Sequence, residues 1–346
     1  MKDLLIVGFG LAGLSAVHHA QELGLSFDVV NDNSQRSSKI AGGILNPVAI
    51  KRMKPVWNVE AFLPYATNYY QNIEEKYGIN ILTRRKIKVF IQDDYKSNIW
   101  FEALDSKRVT PFISSKILKS TDPNLNISNL GLVKAQQIDL STLFSFIITH
   151  LEESGCYKDE TFEYSSLTIS ENHVVYKGKP YRHILFCEGY GIVNNPFFNA
   201  LDIYGNKGDY LIIEAEDLKT EQILKSKYFL IPLGLHRYKF GATYQRKPLD
   251  HRPSDIAKAE MLEALDKMIN CPYKLLDQVC GIRPTTKDRK PVLGSHHSHK
   301  NLHVFNGFGS RGVMTSPLLG KQLMDYMINA VPLSNDISIN RFYAQT

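Results

Sequence analysis

The chain of 346 residues has few cysteines and little excess charge. Its four cysteines show no CxxC spacing, so the sequence lacks the patterns of a zinc finger or a dithiol site. We expect reduced thiols and a cytoplasmic protein, because disulfides are rare in reducing compartments. No apolar segment is long enough to span a bilayer. His296, His297 and His299 follow a glycine in a polar stretch, where we expect a surface loop and no metal.

The composition, 43% hydrophobic and 22% charged, is typical of a globular protein and excludes a disordered or fibrous chain. The net charge of +6 is mild, and the basic runs at residues 51–54 and 84–88 are typical of solvated surfaces. These runs do not exclude an acidic or nucleic-acid partner. The length suggests two domains. Because the sequence contains no internal repeat or low-complexity linker, we expect these domains to be interleaved.

A nucleotide-binding pattern opens the chain. Residues 4–7 form a short apolar run, as expected of a buried parallel strand. A G-x-G-x-x-G motif follows directly at residues 8–13. Residues 14–23 are predicted to be helical, and residues 27–31 form a second strand that ends at Asp32. This strand–loop–helix–strand order predicts a Rossmann βαβ unit.

Each glycine of the motif has a physical role. Gly8 makes the tight turn, Gly10 lets the backbone approach a pyrophosphate, and Gly13 lets helix and strand pack closely. The helix N-terminus offers N–H groups and a partial positive charge to the anion. Asp32 would accept hydrogen bonds from ribose hydroxyls. These residues do not separate NAD from FAD, although NADP is disfavoured.

Periodicity predicts the remaining elements. Helices are expected at residues 58–77, 140–153, 254–269 and about 313–329. Strands are expected at residues 86–92, 162–177, 183–187, 210–214, 228–232, 237–244 and 302–305. Residues 34–54 are polar and rich in glycine, which favours an ordered loop over a ligand.

Two stretches near the C-terminus carry a family resemblance. Residues 280–294, CGIRPTTKDRKPVLG, closely resemble the GxRPxTxDxxPxIG signature of the D-amino-acid oxidase/glycine oxidase family of flavoproteins. Residues 301–313 resemble the strand, flavin-side glycine loop and helix that follow it in the family. The loop at 307–312 is also similar to the FAD domain of the bifunctional tRNA wobble-uridine methylaminomethyl-biosynthesis protein. Weaker similarities occur in family order at residues 37–47, 184–189, 207–211 and 238–244.

The resemblance implies an α/β fold in two interleaved domains. A Rossmann-type FAD-binding domain would comprise residues 1–55, 131–205 and 280–346, with an inserted α+β substrate domain, mainly an antiparallel sheet, at residues 56–130 and 206–279. The implied cofactor is FAD. It would be held noncovalently, because relatives with covalent flavin use a cysteine after this region and none follows Cys280.

The resemblance also implies which residues bind the substrate and which assist the reaction. Arg283 matches the family arginine that holds the substrate carboxylate, a role that suits the planar guanidinium. Lys239 matches a lysine that activates oxygen near flavin N5 in sarcosine-oxidase-like members. Glycine oxidases bind the carboxylate with a tyrosine where this chain has Phe229, so Tyr228 and Tyr244 are candidate substitutes. Arg311 would either meet an anionic flavin or substrate or point outward.

The expected cofactor contacts come from four separated stretches of the chain. They are Gly8, Gly10, Leu11, Ala12, Gly13, Asp32, Ser38, Gly42, Gly43, Gly189, Gly307, Gly309, Ser310, Arg311, Gly312 and Val313.

The expected activity is FAD-dependent oxidation of the C–N bond of an amino acid or related carboxylate-bearing amine. A hydride would pass to flavin N5, and oxygen or a quinone would reoxidise the flavin. Two alternatives stay open. One is FAD-dependent demodification of a tRNA wobble uridine, which the loop at 307–312 and the basic balance favour. The other is a non-catalytic flavin-binding protein.

Overall fold

The computed structural model describes residues 1–343, which form strands and helices in frequent alternation. The strands are β1 Lys2–Val7, β2 Phe27–Asn31, β3 Ile44–Leu45, β4 Val48–Ala49, β5 Lys54–Pro55, β6 Leu82–Phe90, β7 Leu118–Lys119, β8 Asn129–Ile138, β9 Tyr157–Asp159, β10 Leu167–Ile169, β11 Val174–Tyr176, β12 Lys179–Phe186, β13 Ile203–Glu214, β14 Ile223–Lys225, β15 Phe229–Gly234, β16 Arg237–Gly241, β17 Lys274–Thr286, β18 Val292–Ser295 and β19 Leu302–Asn306. The α-helices are α1 Leu11–Glu22, α2 Val59–Tyr77, α3 Asp94–Leu104, α4 Leu140–Glu153, α5 Asp255–Asp266, α6 Gly312–Asn329 and α7 Asn340–Tyr343.

The chain divides into two compact units, and each is built from separated segments. The first comprises residues 1–41, 140–206 and the segment from Gly281 onward, and the second comprises residues 42–139 and 207–280. The sequence had assigned residues 42–55 and 131–139 to the first unit. The structure places them in the second, because β3 pairs with β8, and β8 pairs along its length with β6.

A parallel sheet forms the centre of the first unit. Its strands lie in the order β10-β11-β12-β1-β2-β9, with β19 also paired to β12 and β18 paired to β19. The four strands β19, β12, β1 and β2 are mutually parallel neighbours. Residues 4–7 of β1 are all buried, as expected of a strand that is covered on both faces. The predicted α/β class is confirmed.

Helices α1 and α6 pack at very short range in the first unit. A Cβ atom added to Gly320 of α6 would lie 2.0 Å from the Ser15 hydroxyl of α1 and 3.1 Å from Cδ2 of His19. The Ser15 hydroxyl donates a hydrogen bond of 2.7 Å to the Ser316 carbonyl. The glycine therefore permits a hydrogen bond from a side chain of α1 to the backbone of α6.

The second unit is built on a mainly antiparallel sheet with two apolar faces. The strand order is β17-β13-β16-β15-β14-β6-β8-β3, with β7 paired to β8. One face carries Leu230 and Phe240, which belong to one core cluster with Met261 of α5. The other face carries Ile231, which belongs to a different cluster with Trp100 of α3. This α+β arrangement agrees with the expectation for the inserted domain.

Most predicted elements are present, and the differences are local. α4 spans the predicted residues 140–153, and the Ser254 side chain caps α5 by accepting a hydrogen bond from the Ala257 N–H. The predicted loop at 34–54 contains three two-residue strands, β3 to β5. His296 was expected in a surface loop but is buried. Its Nδ1 accepts hydrogen bonds from the N–H groups of Ser298 and His299, which fold the chain around the ring. No helix within residues 1–343 combines the length and apolar character needed to cross a membrane.

The α1–α6 contact predicts a specific loss of stability. Gly320→Ala should lower the free energy of unfolding by about 1–3 kcal/mol, because the new methyl group overlaps the Ser15 hydroxyl. Denaturant unfolding of the flavin-loaded protein measures this change. Gly191→Ala is the control, since a Cβ there would meet nothing closer than 3.7 Å and the stability should change by less than about 1 kcal/mol. Equal losses in both variants would contradict the prediction.

Candidate functional site

Four neighbouring parallel strands end at one edge of the first unit's sheet, and the predicted nucleotide residues follow them. The glycine motif follows β1, Asp32 follows β2, Gly189 lies shortly after β12, and the loop at 307–312 follows β19. In open α/β sheets, ligands bind outside the carboxyl ends of the strands. Segments far apart in sequence therefore converge at this edge.

The turn between β1 and α1 leaves no room for side chains at two of its glycines. Gly8 has a φ of +93°, and a Cβ atom there would lie 2.6 Å from the Cys187 carbonyl oxygen. A Cβ atom at Gly13 would lie 2.2 Å from the Gly8 carbonyl oxygen. Backbone atoms thus close the turn, which is the geometry that the motif predicts.

The N-terminus of α1 is suited to an anion. Its first turn contains no acidic residue, so the positive end of the helix dipole is not neutralised locally. The Ser38 hydroxyl accepts a hydrogen bond of 3.0 Å from the Leu11 N–H, and a Cβ atom at Gly10 would approach that hydroxyl to 2.8 Å. Ser38 therefore lies where the motif predicts a pyrophosphate.

Two polar residues end β2, and sequence reasoning singled out only one of them. The exposed carboxylate of Asp32 accepts hydrogen bonds from the Ser34 N–H and the Thr161 hydroxyl. Burial raises the pKa of Asp32, but these hydrogen bonds outweigh it and hold the pKa below its usual value. The missed residue is Asn31, whose Oδ1 accepts a hydrogen bond of 2.9 Å from the Phe9 N–H in the glycine turn. The sequence feature that could have identified Asn31 is an amide side chain at the end of an apolar strand.

Glu188 is a second residue that sequence reasoning missed. It follows β12, and its Cα would lie 3.1 Å from a Cβ atom added to Gly8. Its carboxyl group accepts hydrogen bonds from the Tyr164 hydroxyl and, at 2.7 Å, from the Asn195 amide. Burial raises the pKa of Glu188 to about 7. A titratable acid therefore lies beside the glycine turn, and its position after an apolar strand was the available signal.

The loop at 307–312 is tied both to β17 and to α1. The Gly309 N–H donates a hydrogen bond of 2.8 Å to the Pro284 carbonyl. A Cβ atom at Gly312 would lie 3.1 Å from Cδ1 of Leu11, so the first residues of α6 and α1 meet. The side chains of Ser310 and Arg311 are exposed. This part of the predicted site is thus assembled within the first unit.

Arg283 lies on β17 next to that loop. Its guanidinium is half-buried, and Nη1 lies 3.4 Å from the side-chain oxygen of Asn206. The following residue, Pro284, bonds the loop at Gly309. The backbone at Arg283 is therefore fixed beside the glycine loop, and its guanidinium reaches Asn206.

Lys239 lies on one face of the second unit's sheet. It pairs with Ile212 and Ile231 on the neighbouring strands, and its Nζ lies 5.6 Å from the centre of the Tyr210 ring. Burial lowers the pKa of Lys239 to about 8. Tyr210, which sequence reasoning did not single out, is the aromatic partner of this lysine.

Tyr228 is placed differently from the prediction. Its ring packs against Phe240 at 5.6 Å, and its hydroxyl donates a hydrogen bond of 2.5 Å to Glu260. It belongs to the core cluster on the face opposite Lys239, because adjacent residues of a strand point to opposite faces. A substrate contact of Tyr228 stays a prediction, which this placement does not favour. Tyr244 lies beyond β16 and is 66% exposed.

Two predicted cofactor glycines have packing roles inside the second unit. A Cβ atom at Gly42 would lie 2.4 Å from Cδ1 of Ile231, and one at Gly43 would lie 2.0 Å from the Ile138 carbonyl oxygen. These contacts explain the glycines without a ligand. A cofactor contact at either position remains a prediction.

Comparisons with known proteins agree with this geometry. Residues 3–326 match the family described as FAD dependent oxidoreductase. Glycine oxidase of Geobacillus kaustophilus is 28% identical over 130 residues, which cover 36% of this chain and 34% of that protein. The tRNA 5-methylaminomethyl-2-thiouridine biosynthesis bifunctional protein MnmC of Campylobacter fetus is 22% identical over 379 positions, which cover 95% of this chain and 56% of that protein. The chain thus spans between about a third and two thirds of the curated relatives it matches.

Solved structures show the same fold. The crystal structure of glycine oxidase from Geobacillus kaustophilus superposes with a TM-score of 0.80 at 18% identity, covering 96% of both chains. Iminodiacetate oxidase from a Chelativorans species gives a TM-score of 0.79 at 18% identity, covering 97% of this chain and 99% of that one. From the family match over almost its whole length, the chain belongs to the family of FAD-dependent oxidoreductases that includes D-amino-acid and glycine oxidases, and FAD is its cofactor.

Proposed function

We propose that this protein oxidises the C–N bond of an amino acid or a related amine that carries a carboxylate. The observation that carries the proposal is the half-buried residue Arg283, which directly precedes the proline that bonds the glycine loop at Gly309. A fixed planar cation binds a carboxylate through two parallel hydrogen bonds and so orients the bond to be oxidised.

The first unit supplies the residues that would hold FAD noncovalently. The glycine turn, Ser38 and the α1 N-terminus fit a pyrophosphate, and Asn31 and Asp32 offer acceptors to ribose hydroxyls. No cysteine follows Cys280, which favours noncovalent attachment. When bound, the flavin accepts the hydride that leaves the carbon next to the amine.

The protein's own contribution is orientation and charge. Arg283 binds the substrate carboxylate, and the α6 N-terminus, whose first turn has no acidic residue, favours negative charge near it. The substrate amine must be neutral to release a hydride, and an apolar setting disfavours its ammonium form. Burial lowers the pKa of Lys239 to about 8, which supports an apolar setting on its face of the second unit. We infer that this lysine assists reoxidation by oxygen.

Anaerobic mixing with glycine, sarcosine, proline and a set of D-amino acids tests the activity. A carboxylate-bearing amine should bleach the flavin absorbance, and the matching decarboxylated amine should not. If every amine left the flavin oxidised while dithionite reduced it, the protein would be a non-catalytic flavin carrier and the proposal would fall.

The glycine turn predicts the loss of bound FAD in Gly13→Ala. The added methyl group would overlap the Gly8 carbonyl oxygen, and overpacking of about 1–3 kcal/mol corresponds to roughly 10- to 100-fold weaker binding. Flavin absorbance per chain after gel filtration measures this. Gly191→Ala should keep its flavin, and a fully loaded Gly13→Ala variant would contradict the assigned site.

The role of Arg283 predicts a substrate-binding defect in Arg283→Lys. Loss of one of two charge-assisted hydrogen bonds, about 1.5–3 kcal/mol, should reduce kcat/KM by roughly 10- to 100-fold, mainly through KM. Steady-state kinetics with the best substrate of the bleaching screen measure this. Arg182→Lys, on the exposed part of β12, is the matched control and should behave as the unaltered protein. An unchanged KM in Arg283→Lys would remove Arg283 from the substrate site.

The proposed role of Lys239 predicts that flavin reoxidation by oxygen depends on pH. A positive charge stabilises the anion that forms as oxygen is reduced, and the lysine loses this charge as the pH rises through its pKa of about 8. The reoxidation rate should therefore fall above pH 8, and Lys239→Met should be about 100-fold slower at pH 7 and insensitive to pH. Lys225→Met is the control, because burial also lowers the pKa of Lys225 to about 8. Equal defects in both variants would contradict a specific role.

One observation favours the tRNA alternative. Lys86 and Lys134 are exposed and lie directly opposite each other on β6 and β8, and the exposed Arg84 is next to them. Like charges across a strand pair are destabilising, and an anionic partner would offset this. A gel-shift assay with tRNA at low salt tests it, with Lys86→Glu as the variant. Absence of binding would remove this alternative.

A further inference from the structure

The last turns of α1 bring together three groups that can ligate a metal. His18, His19 and Glu22 each offer one nitrogen or oxygen atom, and these atoms lie within 4.8 Å of one another. Both histidines are buried, whereas the Glu22 side chain is 49% exposed. The family match assigns no role to this cluster, which lies at the opposite end of α1 from the glycine turn.

His19 lies between two acceptors. Its Nε2 lies 2.9 Å from the Pro317 carbonyl oxygen, and its Nδ1 lies 2.8 Å from a carboxylate oxygen of Glu22. A neutral imidazole has only one N–H. If Nε2 donates to the carbonyl, the lone pair of Nδ1 faces the carboxylate, and a metal ion between these two atoms would be bound by both.

His18 adds a second imidazole to the cluster. Its Nε2 lies 3.2 Å from the other carboxylate oxygen of Glu22, so both histidines converge on one carboxylate. Two imidazoles and a carboxylate form a donor set that zinc commonly uses.

The surrounding contacts also fit a metal. A histidine that binds a metal typically donates its other N–H to a carbonyl, as His19 does to Pro317. Zinc bonds of about 2.0–2.1 Å place tetrahedral ligand atoms roughly 3.3 Å apart. The two histidine–carboxylate separations of 2.8 and 3.2 Å are close to this value, and all three ligand atoms lie within 4.8 Å of one another. The exposed side of Glu22 leaves a path for the ion and a position for water.

We propose that His18, His19 and Glu22 form a binding site for a divalent transition metal such as Zn²⁺. The site is remote from the glycine turn and has no part in the redox step. Through His19 and the Pro317 carbonyl, the ion would connect α1 to α6. Its effect would be to stabilise the helix pair whose N-termini meet at the cofactor site.

Equilibrium dialysis of the tag-free, flavin-loaded protein against ZnCl₂ tests the proposal. We expect one zinc per chain with a dissociation constant below about 10 μM, and a rise in the thermal unfolding temperature with zinc. Glu22→Gln and His18→Asn should each weaken binding by at least about tenfold and abolish the thermal shift. Flavin content confirms that each variant is folded.

His297→Asn is the matched control, because His297 is an exposed histidine in the other histidine-rich segment. It should bind zinc as the unaltered protein does. If the unaltered protein bound no zinc, the proposal would be wrong. Zinc binding that survives Glu22→Gln and His18→Asn but is lost in His297→Asn would also overturn it.

Discussion

The meeting of two helix starts at Leu11 and Gly312 is the contact on which the cofactor site depends. A Cβ atom at Gly312 would lie 3.1 Å from Cδ1 of Leu11, and Gly320 makes a closer approach two turns later against Ser15. The α1 and α6 N-termini are thereby fixed together, and neither first turn contains an acidic residue. Two helix N-termini whose partial positive charge is not neutralised therefore lie at one sheet edge. This arrangement suits a ligand with two electron-rich groups.

The features that sequence predicted best are those that local chemistry determines. The glycine turn and the end of β2 were predicted because steric limits at glycine and apolar periodicity act within a few residues. The assembly of the C-terminal loop with α1 is long-range, and only the family resemblance indicated it. The boundaries at residues 42–55 and 131–139 were wrong because strand pairing between β3 and β8 is also a long-range property.

The differences in the candidate site have the same origin. Tyr228 and Phe229 are neighbours in sequence, but alternation along a strand directs Tyr228 into the core beside Phe240 and Phe229 to the other face. Sequence could not fix which residue faces which way without the exact strand register. Asn31 and Glu188 were missed for another reason. Their positions at or after the end of an apolar strand were a signal, but their contacts with the turn at residues 8–9 are visible only in the structure.

Contacts with the nucleotide and contacts with the substrate depend on different kinds of groups in this chain. The proposed nucleotide contacts come mainly from backbone groups and helix ends, which many sequences can provide. The proposed substrate contacts depend on a few side chains, and the resemblance aligns Phe229 with a carboxylate-binding tyrosine of glycine oxidases. In the proposed function, Arg283 would then provide most of the carboxylate recognition. A single planar cation tolerates variation in the rest of the substrate, so we expect selection for the carboxylate to be stricter than selection for the amine substituent.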